Sequence, residues 1–297
     1  MKAVEPPTLQ KIRDLEPYWK EFRSTLKLLR RNPLAAAGLT VLGLFAAAAI
    51  LAPWVAPYGP EERIWAERQQ PPSWRHPLGT DENGGDILSR IIWGARVDLG
   101  ISLLVVGSAA ALGSIMGAAA GFLGGKLDEA LMRITDVFLA FPGLILAMAI
   151  AAVLGRSLTN LALALIIVWW PGYARLVRGV VLSEREKPYV EAAKAAGAGS
   201  FRIILKHLLP NSIYPLLVNA TLDLGLVMLT AAGLSFIGFG AEAGVAEWGV
   251  MIANGRNYLF QAPWVVAFPG LAILLCSLAL NLLGDGLRDA LDPRLRG

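Results

Sequence analysis

Residues 189–211 read YVEAAKAAGAGSFRIILKHLLPN, a polar, helix-prone insert between two long apolar runs. Pro188 suits the first position of a helix, where its missing N–H costs nothing. The Ala-rich run that follows consists of strong helix formers, and Gly197 can adopt the left-handed conformation that ends a helix. The insert is therefore expected to begin with one short helix that stops at Gly197.

A second helix is predicted to start at Phe201, with Ser200 as its N-cap. Pro210 is expected to stop or kink this helix. Its apolar residues recur at helical spacing; they are Phe201, Ile204, Leu205 and Leu208. The sequence thus predicts two short helices joined by a glycine turn, a stiff unit on which another protein could dock. A surface helix without a partner and a DNA-binding helix-turn-helix are the alternatives that this stretch leaves open.

The composition of the whole chain is that of a membrane protein. Of 297 residues, 55% are hydrophobic and only 17% are charged, which is more apolar than one soluble core would use. Six runs reach or approach the length that a helix needs to cross a bilayer; they are residues 34–55, 99–123, 137–154, 158–174, 213–238 and 258–283. The predicted fold is an all-α integral membrane protein with six transmembrane helices.

The basic residues predict the orientation. With the N-terminus inside, 20 of the 27 Lys and Arg residues fall on the cytoplasmic side, as the positive-inside rule requires. This orientation places both termini and the insert in the cytoplasm. The first outer loop is a mild exception because it contains Arg63, Arg68, Arg75, Arg90 and Arg96.

The chain before the first span has a pattern of its own. Apolar residues recur there at steps of three or four between basic residues, which is typical of an amphipathic helix on the inner membrane face or packed against another protein; they are Leu9, Ile12, Leu15, Trp19, Phe22, Leu26 and Leu29. The first apolar run is as long as a full span and lacks a clear small-residue cleavage site, so it is expected to remain as an anchor. A single cysteine, Cys276, excludes intrachain disulfides.

The second span carries a line of glycines at spacing of four, extended by Ala109: Gly113, Gly117, Gly121 and Gly125. Small residues on one helix face allow another helix to approach closely, so helix packing is the expected role of this line. Residues 124–126, Gly-Gly-Lys, superficially match a phosphate-binding loop. The match fails because Ala120 stands where the first glycine belongs and Leu127 where Ser or Thr would bind magnesium. We expect no ATP site on this chain.

The insert resembles the EAA loop of ATP-binding cassette (ABC) importer permeases. The family signature is EAA, three residues, Gly, nine residues, Ile, one residue and Leu-Pro, and its members here are Glu191, Ala192, Ala193, Gly197, Leu209 and Pro210. His207 stands at the Ile position, as is frequent in the peptide-importer branch. The resemblance implies that these residues couple the chain to a cytoplasmic ATPase.

Other motifs resemble the C-type permease of dipeptide, oligopeptide and nickel importers, in the same order. They are HPLGTD at 76–81, GGD at 84–86, LSR at 88–90, GAR at 94–96, AGLSFIGFG at 232–240, EWG at 247–249, GR at 255–256, PW at 263–264, FPG at 268–270 and NLLGDGLRDALDP at 281–293. Gly85 departs from the family pattern, which has Arg there. Asp81 and Asp86, beside glycines, also suit ordinary turns or helix caps.

The resemblance implies a type I ABC importer permease fold with cytoplasmic termini. Its parts would be an amphipathic segment (1–33), a first transmembrane helix and outer loop (34–96), a permease domain (97–287) containing the EAA loop (183–211), and a cytoplasmic tail (288–297). The location implied is a prokaryotic inner membrane.

The resemblance also implies partners. These are a homologous B-type permease, two ATPase subunits that carry ATP and Mg, an extracytoplasmic solute-binding protein and membrane lipid, with no nucleic acid and no cofactor on this chain. The cargo implied is di- or oligopeptides, with nickel or an oligosaccharide as alternatives. A proton-coupled carrier would show several buried ionisable groups, and an intramembrane enzyme would show a catalytic set; neither pattern is present.

Asp223 is the one acidic residue well inside a predicted span. A carboxylate at the centre of a membrane helix costs about 2.5 to 3.5 kcal/mol, so this side chain should face protein or a water-filled cavity. It could line the substrate path near Asn219 and meet a substrate amine, or it could hydrogen-bond to the partner permease. Trp169 and Trp170 could also touch substrate, although aromatic residues in membrane helices usually pack or anchor.

Overall fold

The structure is a computed structural model that describes residues 28, 29, 32–242 and 244–291. Most of the amphipathic segment predicted over 1–33, and residues 292–297 of the predicted tail, lie outside the described residues. In chain order the helices are α1 (Pro33–Val55), α2 (Ile87–Leu123), α3 (Gly125–Leu139), α4 (Gly143–Leu154), α5 (Leu158–Glu184), α6 (Pro188–Ala195), α7 (Ser200–Ile203), a π-helical turn (Ile204–Leu208), α8 (Leu209–Asn211), α9 (Ile213–Ile237), α10 (Trp248–Gly255) and α11 (Trp264–Leu291). The predicted all-α fold is confirmed.

Five of these helices, α1, α2, α5, α9 and α11, are long and apolar enough to cross a membrane. The pair α3 and α4 would make a sixth span, but it is bent by 89°. The prediction of one continuous helix over 137–154 is therefore wrong. Pro142 explains the break, because it disfavours helical geometry at Phe141 and has no N–H to donate to a helix that runs through it.

Several helices extend beyond their apolar runs because polar contacts stabilise the extra turns. Helix α2 begins at Ile87, not at 99, where Asp86 caps it by accepting from the Ser89 N–H at 2.8 Å. Helix α5 continues past 174 to Glu184, and its Arg178 donates two hydrogen bonds to Asp128 of α3, at 2.6 and 2.7 Å. A hydropathy pattern detects only the apolar part of such helices and misses their polar end turns.

The glycine line packs α2 against α5, which is the most extensive helix pair in the described chain. A Cβ atom at Gly113 would lie 2.5 Å from the Trp170 carbonyl oxygen, and one at Gly117 would lie 2.2 Å from the Ala174 carbonyl oxygen. No side chain fits at such distances, so the predicted packing role is confirmed for these positions.

Gly125 does not continue the line. It is the first residue of α3, beyond the Gly124 cap that ends α2, and a Cβ there would meet nothing within 4 Å. The spacing of four runs past the end of the helix by coincidence.

The bundle has two distinct ends. The EAA end carries the EAA loop, which joins α5 to α9, and the far end carries residues 56–86 together with α10. Between the ends, large apolar side chains remain exposed on the outer helix faces, for example Leu44 at 66%, Ile50 at 70% and Ile115 at 63%. Such surfaces suit lipid or another apolar protein.

Candidate coupling loop and substrate path

The EAA loop opens with α6, whose end is built by Gly197. Gly197 has φ +78°, its N–H donates to the Lys194 carbonyl at 2.9 Å, and the Ala198 N–H donates to the Ala193 carbonyl at 3.0 Å. These two bonds form a Schellman motif, which requires a left-handed residue at this position. The predicted glycine turn is confirmed.

The second half of the loop differs from the prediction at its start, and Pro210 lies one residue before its end at Asn211. Gly199 is the N-cap and Ser200 is the first helical residue, so the predicted Ser200 cap is wrong. Pro210 does not end the helix. The chain instead widens into the π-helical turn, in which the Leu209 N–H donates to the Ile204 carbonyl, and helical geometry continues through Pro210. The wider turn accommodates the hydrogen bond that proline cannot make.

The inner side of the loop is packed onto the ends of two long helices. Val190, Ile203 and Leu208 are buried together with side chains from the last turns of α2 and α5. The loop is also bonded to the end of α5, because the Tyr189 hydroxyl donates to Glu184 at 2.8 Å. Burial and the neighbouring Glu184 raise the pKa of the Tyr189 hydroxyl, which keeps it protonated as a donor. The loop is therefore fixed to the ends of α2 and α5 by packing and a hydrogen bond.

The outer side of the loop is exposed and carries both apolar and charged side chains, the charged ones being Glu191, Lys194, Arg202 and Lys206. Phe201 is 76% exposed and Leu205 is 46% exposed, beside the exposed Glu191 and Ala192. The predicted apolar face of the second helix is split, since Leu208 points inward while Phe201 and Leu205 point outward. The π-helical turn begins at Ile204 and shifts the register of the residues after Ile203, including Leu205 and Leu208, and apolar spacing in the sequence does not reveal such a turn.

The two residues predicted for the substrate path lie together on α9. The Asn219 amide donates to the Asp223 carboxylate at 2.9 Å. Asn219 also lines a cavity of about 530 Å³ between α5, α9 and α11, and Arg288 lies on the opposite wall. Asp223 is half-buried, and the side chains of Trp169 and Tyr173 from α5 are close enough to interact with it. The arrangement is a polar patch beside a cavity.

The two tryptophans separate in role. Trp170 is only 8% exposed and packs edge to face against Phe138, with ring centres 5.5 Å apart, in the core. Trp169 is the one that approaches Asp223. The expectation that aromatic residues pack in such helices holds for Trp170.

At the far end, the predicted turn and cap roles of the two aspartates are confirmed. Asp86 caps α2, and one Asp81 oxygen accepts from the N–H groups of Asn83 and Gly85, both at 2.8 Å. Sequence reasoning missed the role of His76, whose ring nitrogens lie 2.9 Å from Asp86 and 2.9 Å from Glu67. No spacing rule would have joined these three side chains.

The structure also accounts for Gly85, where the family has Arg. A Cβ at Gly85 would lie 2.7 Å from Asp81 Oδ2 and 3.1 Å from Cδ of Arg90, and the Arg90 Nε already lies 3.3 Å from the same Asp81 oxygen. Arg90 also donates to the backbone carbonyls of Gly244 and Val245. Arg90 thus supplies a guanidinium to Asp81 in this chain.

The EWG motif at 247–249 is structural in this molecule. Glu247 caps α10 by accepting from the N–H groups of Gly249 and Val250, at 2.9 and 2.8 Å, and burial raises the pKa of its carboxyl. Trp248 is fully buried, and its indole N–H donates to the Ile91 carbonyl at 3.1 Å. The bond from Trp248 to Ile91 fastens α10 to the start of α2.

Comparison with protein families gives two matches. Residues 109–297 match the family described as binding-protein-dependent transport system inner membrane component. Residues 18–72 match the N-terminal transmembrane domain of oligopeptide transport permease C. Together the matches leave residues 73–108 unassigned.

Individual proteins are similar over most of their length. The dipeptide transport system permease protein of Alkalihalophilus pseudofirmus is 44% identical over 93% of this chain and 90% of its own. The di/tripeptide transport system permease protein of Pseudomonas aeruginosa is 44% identical over 98% of this chain and 95% of its own. The nickel transport system permease protein of Escherichia coli is 42% identical over 86% of this chain and 93% of its own.

A solved structure has the same fold. The MetNI methionine ABC transporter, in an inward-facing conformation, aligns with a TM-score of 0.55 at 21% identity, over 69% of this chain and 98% of the solved chain. At this identity the match speaks for the fold alone.

Proposed function

The chain belongs to the family of binding-protein-dependent transport system inner membrane components and is a permease subunit of an ABC importer, and from this premise we propose that it imports di- or oligopeptides. The observation that carries the proposal is its similarity to dipeptide and di/tripeptide permeases over more than nine-tenths of its length. The polar patch of Asn219 and Asp223 beside a cavity supports it, because a peptide backbone needs polar partners inside an apolar bundle.

The proposed complex contains this chain, a homologous B-type permease, two ATPase subunits that bind ATP and Mg, and an extracytoplasmic solute-binding protein. The EAA end would face the cytoplasm, as would both termini, an orientation supported by the placement of 20 of 27 basic residues. The exposed apolar helix faces would meet lipid and the partner permease.

We propose that the outer side of the EAA loop docks on the ATPase. The glycine turn and the buried inner side make the loop rigid, and α9 begins directly after it, so a push on the loop would move α2, α5 and α9 together. ATP binding would draw the two EAA loops of the complex together and open the path outward, and hydrolysis would reset it. Coupling of this kind requires a contact that differs between the two states, which the docked loop can provide.

The experiment that tests the cargo is uptake by the complete complex in proteoliposomes with its binding protein. We expect ATP-dependent accumulation of labelled L-alanyl-L-alanine that is not displaced by nickel ions. Nickel is the second candidate because of the Escherichia coli relative. Accumulation of nickel without peptide uptake would contradict the proposal. Among the described residues, no group of three or more His, Cys, Asp or Glu side chains is placed to hold a metal ion.

We predict that Asp223→Asn lowers peptide uptake about tenfold, because the loss of one charge-assisted contact is worth about 1.5 to 3 kcal/mol. Asn preserves the size of the side chain, so the melting temperature of the purified complex should not change. Thr230→Val is the matched control, since Thr230 is partly exposed on the same helix and its hydroxyl donates to the Leu226 carbonyl one turn earlier, at 2.8 Å. A lower melting temperature with normal uptake would assign Asp223 to contact with the partner permease instead.

A further inference from the structure

A second cavity, of about 250 Å³, opens at the far end of the bundle. Its walls come from the last turn of α9, from α10, and from the turn that joins α4 to α5. Unlike the cavity beside Asn219, its lining is predominantly polar. Residues of the AGLSFIGFG motif (232–240) and Arg256 of the GR motif (255–256) contribute to its lining, whereas no residue predicted for the substrate path does.

Two arginines define the charge of this cavity. Arg156 comes from the turn before α5, and one of its guanidinium nitrogens lies 3.6 Å from the place where a Cβ at Gly238 would be. Arg256 follows α10, and its guanidinium stands 5.6 Å from the centre of the Phe236 ring. Residues 156 and 256 are a hundred positions apart in sequence, and the fold brings them to one opening.

Neither arginine is neutralised within the part of the chain that the structure describes. No acidic residue lines the cavity, and neither guanidinium has an ion-pair partner among the described residues. Arg90, at the same end of the bundle, shows the contrast, since it is paired with Asp81 and donates to three backbone carbonyls. Arg90 holds the fold, whereas Arg156 and Arg256 leave their donors free for a ligand.

The chemistry that fits is a carboxylate. Guanidinium groups present planar sets of donors that match the two oxygens of a carboxylate, and the stacking of Arg256 on Phe236 holds one of them in place. The Asn254 side chain adds a further polar group to the lining. The cavity has room for the end of a short extended chain but not for a folded surface.

The cavity and the proposed substrate path lie along the same helix, α9. Helix α9 runs from the EAA loop past Asp223 to this cavity, and Ser235 in its wall lies roughly 18 Å along the helix from Asp223 at about 1.5 Å per residue. A substrate delivered to the far end would meet the cavity before it met Asp223. We propose that Arg156 and Arg256 bind the C-terminal carboxylate of the incoming peptide as it enters the path, an inference that rests on the proposed peptide cargo.

The test compares L-alanyl-L-alanine with its C-terminal amide. Binding of each to the complete complex in neutral-lipid nanodiscs is measured by saturation-transfer NMR, for the wild type, for Arg156→Gln/Arg256→Gln and for Arg156→Lys/Arg256→Lys. The wild type should bind the free acid about tenfold more tightly than the amide, since one lost charge-assisted contact corresponds to about that factor. The Arg156→Gln/Arg256→Gln variant (the Gln pair) should bind both peptides equally weakly. The Arg156→Lys/Arg256→Lys variant (the Lys pair) should retain a preference for the free acid. Arg68→Gln, an exposed arginine of the outer loop away from the cavity, is the matched control and should behave as the wild type.

Three results would overturn the inference. The first is equal binding of acid and amide by the wild type, and the second is a preference for the acid that survives in the Gln pair. The third is a Gln pair with unchanged peptide binding but weaker stimulation by the solute-binding protein, which would assign the arginines to docking of that protein. A wild-type complex that neither binds nor imports the peptide would instead remove the proposed cargo itself, and with it this inference, whatever the variants do.

Discussion

Gly197→Pro is expected to lower ATP-dependent peptide uptake by about 100-fold while the chain still inserts into the membrane. Proline fixes φ near −65°, whereas Gly197 has φ +78°, and proline also removes the N–H that donates to the Lys194 carbonyl. A strained or rebuilt turn costs about 1 to 3 kcal/mol, and a misplaced loop would lose its contact with the ATPase. Uptake and substrate-stimulated ATP hydrolysis are measured together in proteoliposomes.

The control for this change is Gly197→Asn. A Cβ at Gly197 would meet nothing within 4 Å, so only the backbone conformation restricts this position. Asparagine tolerates the left-handed region better than other residues with a Cβ, and it keeps the N–H. We expect Gly197→Asn to retain most of the uptake. Glu191→Lys, which reverses the charge of an exposed residue without touching the turn, should uncouple transport by a different route. Unchanged substrate-stimulated hydrolysis in both Gly197→Pro and Glu191→Lys would refute the proposed coupling.

Gly117→Ala is expected to destabilise the folded chain by about 3 kcal/mol, although alanine favours helices over glycine by about 1 kcal/mol. The added methyl group would lie 2.2 Å from the Ala174 carbonyl oxygen, which belongs to the backbone of α5 and cannot move aside without separating the two helices. We expect the melting temperature of the purified complex to fall by about 10 °C.

Gly107→Ala provides the matched control on the same helix. A Cβ at Gly107 would meet nothing within 4 Å, so the substitution should be neutral or stabilise α2 by about 0.5 to 1 kcal/mol. If the added methyl group lowers the stability at position 117 but not at position 107, the close contact between α2 and α5 lies at Gly117. Equal effects at positions 107 and 117 would mean that the glycine line does not set this contact.

Local and periodic features of the fold could be predicted from the sequence because their causes are local. Apolar runs long enough to span a bilayer identified the five long helices, and Gly197 predicted its own turn because few other residues adopt that conformation. The break at Pro142 was missed because the apolar run continues through it. A hydropathy pattern detects apolar residues but not a change in helix direction, and here the direction changes because Pro142 interrupts the helical backbone.

The candidate site was less predictable because it depends on which residues the fold brings together. The apolar spacing from Phe201 to Leu208 assumed a regular α-helix, whereas the π-helical turn before Pro210 shifts the register, so that Leu208 is buried while Leu205 is exposed. The pairing of Asn219 with Asp223 was within reach of the sequence, since residues four apart share a helix face. The meeting of Arg156 with Arg256 was not, because no periodicity connects two loops on different helices.

Photo-crosslinking shows whether an ATPase acts on this chain through the outer side of the EAA loop. Phe201, 76% exposed on that side, is replaced by the photoreactive analogue p-benzoylphenylalanine, and Trp74, an exposed aromatic residue at the far end, is replaced in the same way as the control. Irradiation of the complete complex is expected to crosslink position 201 to an ATPase subunit and to give no such product from position 74. Capture of the ATPase from position 74, or capture of only lipid or the extracytoplasmic binding protein from position 201, would contradict this expectation.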